Sequence, residues 1–192
     1  MYLKLAFLSM VVAINGGPQE SGVTIDAQRS SITIHVGKSG LFAPAAHEHW
    51  VDALIAGGTI DAAGATPSVR FTVDARKLSV RPEKSVSDKD QAEVQANMQT
   101  KVLESSAYPE IVFQSTHVQR KGDNAWKVSG DLTLHGVTRS LTLDVTGERG
   151  AYAGSVPIKQ TDFGIQPIKI GGGVVKVKDE LEISFRVYTL AH

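Results

Sequence analysis

"AWKVSGDLTLHGVTRSLTLDVTG", residues 125–147, is the stretch from which the fold is read. Trp126, Val128, Gly130, Leu132 and Leu134 alternate with Lys127, Ser129, Asp131 and Thr133. After His135-Gly136 the alternation resumes, with Leu141, Leu143 and Val145 against Ser140, Thr142 and Asp144. Successive side chains of a strand point to opposite faces, so a period of two marks a sheet with one apolar and one solvated face. A tight connection between two such runs needs positive φ, which Gly136 supplies. The stretch therefore reads as an antiparallel hairpin, and His135 as a turn residue rather than a ligand.

The same rhythm extends outward. Ile32, Ile34 and Val36 alternate in "SSITIHV", Val69, Phe71 and Val73 in "SVRFTVD", and Ile111 and Phe113 in "PEIVFQS". Val156 and Ile158 follow, then Leu181, Ile183, Phe185 and Val187. Turn signals separate the runs at Gly37-Lys38-Ser39-Gly40, Gly57-Gly58, Gly122-Asp123-Asn124 and between Gly147 and Gly150. About eight runs with short connections predict an all-β antiparallel sandwich or closed barrel. One segment departs from the pattern: "SDKDQAEVQANMQTKVLESSAYPE" spaces Val94, Met98 and Val102 by four. It predicts one helix near 89–104, capped by Ser87 or Asp88 and stopped before Pro109. Such a helix suits the open end of a barrel or its outer wall.

Composition excludes several functions. Twenty acidic and twenty basic residues balance, which leaves no net charge for a nucleic-acid-binding surface or for strong docking on anionic membranes. The absence of cysteine removes disulfides, thiolate metal sites and a cysteine nucleophile. At the N-terminus Lys4 precedes an apolar run, Leu5–Ile14, followed by Asn15-Gly16-Gly17-Pro18. That layout predicts a signal peptide over residues 1–17 and an exported chain, periplasmic or secreted. The apolar run falls short of the roughly 20 residues a spanning helix needs. Residues 18–192 are then of a size for one domain.

The search for chemistry finds no P-loop, nucleophile elbow or His-Glu-x-x-His helix. "IGGGVVK" at 170–176 lacks the spacing of a dinucleotide site and reads as a loop. Asp131, Asp144 and Glu182 alternate with apolar neighbours and should point outward. No general acid/base pair converges, so an enzyme is not expected. "AAHEHWVDAL" at 45–54 carries His47 and His49, which share a face if extended, with Glu48 opposed. With His35 or His117 as a third ligand they would make a metal site. That supports an alternative reading as a metal- or haem-associated redox accessory. The pair equally fits a head-group contact at a barrel mouth or a solvated strand start.

"VSGDLTLHGVTRSLTLDV" at 128–145 closely resembles the signature hairpin of the YceI-like family. "YPEIVFQST" at 108–116, "TDFGI" at 161–165 and "VTIDAQRSSITIHV" at 23–36 resemble further elements of it, in the same order. The resemblance implies a lipocalin-like antiparallel barrel that holds an apolar isoprenoid-type lipid, or a quinone, in a long tunnel. A carrier of that kind is expected to touch a membrane transiently as it exchanges cargo, and the oligomeric state is left open, a dimer included. Ile34, Phe71, Val73, Phe113, Trp126, Leu143, Phe163, Ile183 and Phe185 are the candidates for the lining, and Gly130, Ala75 and Ser115 would leave room among them. Two stretches, "GKSGLFAPAAHEHWVDAL" and "DQAEVQANMQTKVLESS", depart from the family's common pattern. Head-group chemistry is therefore not carried over from the family.

Overall fold

The computed structural model describes residues 22–39, 48–62, 64–148, 150–170 and 175–190. The expected signal peptide, residues 1–17, lies outside them, as does His47. In chain order the elements begin with β1 (Val23–Thr24), β2 (Ser31–Ser39), β3 (His49–Ala53), β4 (Ile55–Asp61), β5 (Ser68–Asp74) and β6 (Ser79–Val80). The helix α1 (Asp88–Asn97) follows, and then β7 (Glu110–Gly122), β8 (Ala125–Leu134), β9 (Val137–Glu148), β10 (Ala151–Lys159), β11 (Lys169–Ile170) and β12 (Val175–Tyr188). All pairings are antiparallel and form one curled sheet.

Among the described residues twelve strands stand where about eight were expected. Three of them, β1, β6 and β11, have two residues each. β3 and β4 are separated by Leu54 alone and act as one bent strand. β3 pairs with β2 and β4 pairs with β5, so the bent strand joins the two ends of the sheet and the wall curls into a barrel. Counted this way, eight long strands make the wall. The Gly57-Gly58 pair, expected as a turn, lies inside β4. A Cβ on Gly58 would stand 2.3 Å from the Arg70 carbonyl oxygen, so glycine is there for close strand approach. Gly37-Lys38-Ser39, also expected as part of a turn, continues β2.

β8 shows why alternation made the fold readable. Trp126, Val128, Gly130, Leu132 and Leu134 are buried, and the residues between them are less so. All ten residues of β8 pair with β9. His135 and Gly136 both have positive φ, 52° and 72°, as a two-residue hairpin turn of the I′ kind requires. Gly130 does not open space in the lumen. A Cβ there would lie 2.6 Å from the Phe113 ring, which already fills that place. Gly154 takes the Phe185 ring in the same way, at 2.7 Å. Two aromatics are thus seated against neighbouring strands.

The wall has a seam. β9 and β10 pair only over Ala151–Gly154 and then separate. Thr189 N donates to Gly150 O, so even-numbered residues of β10 direct their polar groups to β12 and odd-numbered ones to β9. Pro157 is odd-numbered and has no N–H to give, so the ladder cannot resume with it on that side. The turn Gln160–Phe163 packs against β9, β10 and β12 at this end of the seam. Phe163, 2 % exposed, is the largest fully buried side chain among the described residues. Thr161 anchors the turn to β12 through Asp179, with its N–H at 2.9 Å and its hydroxyl at 2.7 Å.

Candidate functional site

A cavity of about 830 Å³ runs along the interior of the barrel. It lies toward the upper end of the roughly 300–1,000 Å³ usual for small-molecule sites. Its walls come from the inward positions of the alternating strands. Ile34, Phe71, Val73, Phe113, Trp126, Leu143, Ile183 and Phe185 all line it. Phe163 does not, contrary to expectation, because it is spent on the seam between β9 and β10. The aromatics pack in pairs, Phe71 with Phe113 at 5.5 Å and Trp126 with Tyr152 at 5.6 Å between centroids. Burial pushes the Tyr152 phenol above its ordinary pKa, as an apolar surround should.

Sequence reasoning missed many lining residues, among them Val51, Ile60, Val69 and Leu181. The first two lie on the bent β3–β4 strand, which the Gly-Gly reading divided. Asp61, Ala62 and Ser68 mark one end of the cavity. Lys38, Ser85, Ser87, Asp90, Glu93, Asn97 and Lys176 mark the other.

α1 closes part of that second end. Ser87 caps it, accepting from Asp90 N at 3.2 Å. No residue of α1 is fully buried, and Val94, half-buried, is its apolar contact with the cavity. Three glutamines spaced by four, hence on one face, tie the helix to backbone groups of the barrel as well. Gln91 Nε2 donates to Val86 O at 2.8 Å and to Glu83 O at 3.2 Å. Gln95 donates to Leu78 O at 2.9 Å and accepts from Val80 N at 2.8 Å. Gln99 donates to Leu78 O at 3.0 Å and to Ala75 O at 3.2 Å, and its Oε1 is buried without a protein partner. After Asn97 the helix widens into a π-helical turn, Met98–Val102, which puts Met98 and Val102 on the cavity. The span expected as 89–104 is thus 88–102, in two kinds of helix.

The far end of this cap is clasped by His135. Its Nε2 donates to Glu104 Oε2 at 2.8 Å, and its Nδ1 lies 3.3 Å from Phe163 O. The Tyr108 ring rests on it at 4.3 Å. The hairpin, the Tyr108-Pro109 corner and the Thr161–Ile165 stretch meet here, so their sequence patterns share one packing role.

The histidines do not assemble as a metal site within the described residues. His49 faces the cavity, and its Nδ1 lies 3.0 Å from Glu83 Oε1. His35 is on the opposite face, opposite Trp50 in register and stacked on it at 4.5 Å. Its Nε2 lies 3.0 Å from Glu48 Oε2, and this hydrogen bond holds the Glu48 carboxyl below its ordinary pKa. His117 sits across from Ser129 on β7 and is exposed. Among the described residues no three His, Cys, Asp or Glu side chains are placed to hold an ion. No helix there is long and apolar enough to cross a membrane.

Comparison with known proteins agrees with this geometry. A UPF0312 protein of Pseudomonas savastanoi is 32 % identical over 123 residues, covering 58 % of this chain and 62 % of that protein. The chain therefore spans less than two thirds of this curated relative's length. Burkholderia cenocepacia BcnA superposes with a TM-score of 0.61 at 21 % identity, over 86 % of this chain and 99 % of that one. A polyisoprenoid binding domain from Saccharophagus degradans gives a TM-score of 0.58 at 15 % identity, over 89 % and 99 %. At these identities the two structures show the shared fold. The model of the YceI-like domain matches residues 23–189, nearly the whole described barrel, and the chain belongs to the YceI-like family.

Proposed function

We propose that this protein is a non-enzymatic carrier that holds an apolar, isoprenoid-type lipid or quinone in the barrel lumen. The observation that carries the reading is the cavity of about 830 Å³, whose polar groups stand at its two ends while strand side chains such as Val128, Leu143 and Ile183 make its wall. A deep apolar site with few polar groups takes an apolar ligand and orients it by one end. The related fold of a domain described as polyisoprenoid binding supports the same ligand class.

Energetics fit a carrier. Burying a methylene from water yields about 0.8 kcal/mol. A long chain would sum to more than any real affinity. In a cell the competing solvent is the bilayer, where the chain is already buried, so net transfer is small and release is feasible. Export to the periplasm or beyond, directed by residues 1–17, would place the carrier beside such membranes.

The test is organic extraction and mass spectrometry of protein purified without detergent, beside an Ile183→Trp variant that fills the lumen. The wild type should yield a stoichiometric apolar lipid and the variant much less. A lipid-free extract from the wild type sinks the reading.

A further inference from the structure

We infer that the cargo enters the lumen with an oxygen-bearing end first, a neutral carbonyl of the quinone kind, and that the Tyr152 hydroxyl donates a hydrogen bond to that oxygen at the base of the barrel. The inference rests on the carrier reading above and adds which end of the ligand lies inside and what receives it.

Tyr152 stands at the end of the lumen remote from the cap. β9 runs from Val137, beside the His135 clasp, to Glu148, and Tyr152 pairs in register with Gly147 near that far end. It lines the cavity, as do Val156 and Ile158 further along the same face of β10. The Tyr152 ring lies over a glycine of the neighbouring strand, as the rings of Phe113 and Phe185 do. A Cβ on Gly147 would stand 2.9 Å from Tyr152 Cδ1. Phenylalanine fills the other two seats, so this packing does not call for a hydroxyl. The ring also meets Trp126 edge-on, at 5.6 Å between centroids.

The hydroxyl has no hydrogen-bond partner among the described residues, and burial alone raises the phenol above its ordinary pKa. The group therefore stays protonated and ready to donate. A hydrocarbon end pushed into this corner would strip water from the hydroxyl and leave it unpaired, whereas a ligand oxygen pairs it. A site that offers a hydrogen bond discriminates against the analogue that lacks the partner atom. Asp61 and Ser68 mark the same end of the cavity from β4 and β5. The Asp61 carboxylate is an acceptor only, and its Oδ1 accepts from Gly64 N at 2.6 Å. Its charge disfavours an anionic end nearby and leaves a neutral acceptor as the chemistry that fits.

The experiment uses the delipidated full chain carrying Trp50→Phe, which leaves Trp126 as its single tryptophan. The probes are 2-methyl-3-geranyl-1,4-naphthoquinone and the hydrocarbon 2-methyl-3-geranylnaphthalene, which share ring and tail and differ in the carbonyl oxygens. Each is titrated while Trp126 emission is followed, in this parent chain and with Tyr152→Phe added. The added substitution keeps a ring over Gly147 and removes the donor. It should weaken the quinone about tenfold and the hydrocarbon by less than about twofold. The infrared carbonyl band of the bound quinone should lie lower in the parent than in the Tyr152→Phe chain, because only the parent supplies the hydrogen bond. Equal quinone affinity in the two chains, an equal loss for both probes, or an unmoved carbonyl band overturns this proposal alone. Binding of neither probe by the parent chain overturns the carrier reading and this proposal with it.

Discussion

The β8–β9 wall and the α1 cap enclose the same cavity by different means. β8 pairs along its whole length and buries every second residue. α1 fully buries none and is held by Gln91, Gln95 and Gln99 reaching backbone groups of residues 75–86. Apolar burial is strong and non-directional, whereas a hydrogen bond exchanged against water contributes only about 0.5–1.5 kcal/mol. The wall should therefore set global stability, and the cap should open locally at lower cost. That division suits a carrier, whose barrel must persist while its mouth admits and releases cargo.

The division breaks first at the seam. Phe163→Ala removes the plug between β9 and β10 and should cost about 3–5 kcal/mol in denaturant unfolding. A loss under 1 kcal/mol would mean that the seam needs no plug. Next comes Gly130→Val, which forces side-chain atoms into the place of the Phe113 ring. It should cost about 1–3 kcal/mol, with near-UV dichroism reporting disturbed aromatics.

How the wall and the cap differ also explains what could be read in the sequence. Alternation in β2, β5, β8, β9 and β12 exposed the barrel, because burial on one face writes itself as a period of two. The count and the bent strand were hidden. Gly57-Gly58 serves close strand approach inside β4, and no local signal separates that use from a turn. Phe163 reads like any other inward aromatic. Only Pro157, which cannot donate toward β9, hints that a seam needs filling. The helix was visible through its four-residue spacing and Ser87. Its fixation was not, since glutamines at 91, 95 and 99 look like an ordinary solvated face until the strand edge they bind is known. The lining was half legible for the same reason: Phe71, Trp126 and Ile183 lie on regular strands, Val51 and Ile60 on the bent one.

The cap's share can be isolated. Gln95→Leu removes two hydrogen bonds to backbone groups at one edge of the barrel. Global unfolding should shift by less than the wall variants, while amide exchange in α1 and release of bound probe quicken by about tenfold. An unchanged exchange rate in α1 would contradict glutamine-held closure. The smallest effect belongs to the outer surface. Arg81 donates to Asp52 at 2.6 and 2.8 Å, and this contact lowers the Asp52 pKa. Both groups are well exposed, so Arg81→Gln should cost about 0–1 kcal/mol. A depressed folded-state pKa gives stability that is present above the ordinary value of 3.8 and fades as pH falls through the lower folded value. Unfolding of the Arg81 variant should accordingly lose some of its acid sensitivity in that range.

The central claim, that the lumen holds the lipid, is tested most directly by photo-crosslinking. A diazirine-bearing isoprenoid is bound to delipidated protein, irradiated, and the labelled residues are mapped by peptide mass spectrometry. The account predicts labels on inward positions such as Val128, Leu143 and Ile183, displaced by unlabelled isoprenoid. Labels confined to outer positions such as Trp50 and Leu54, which are 44 % and 58 % exposed, would contradict it.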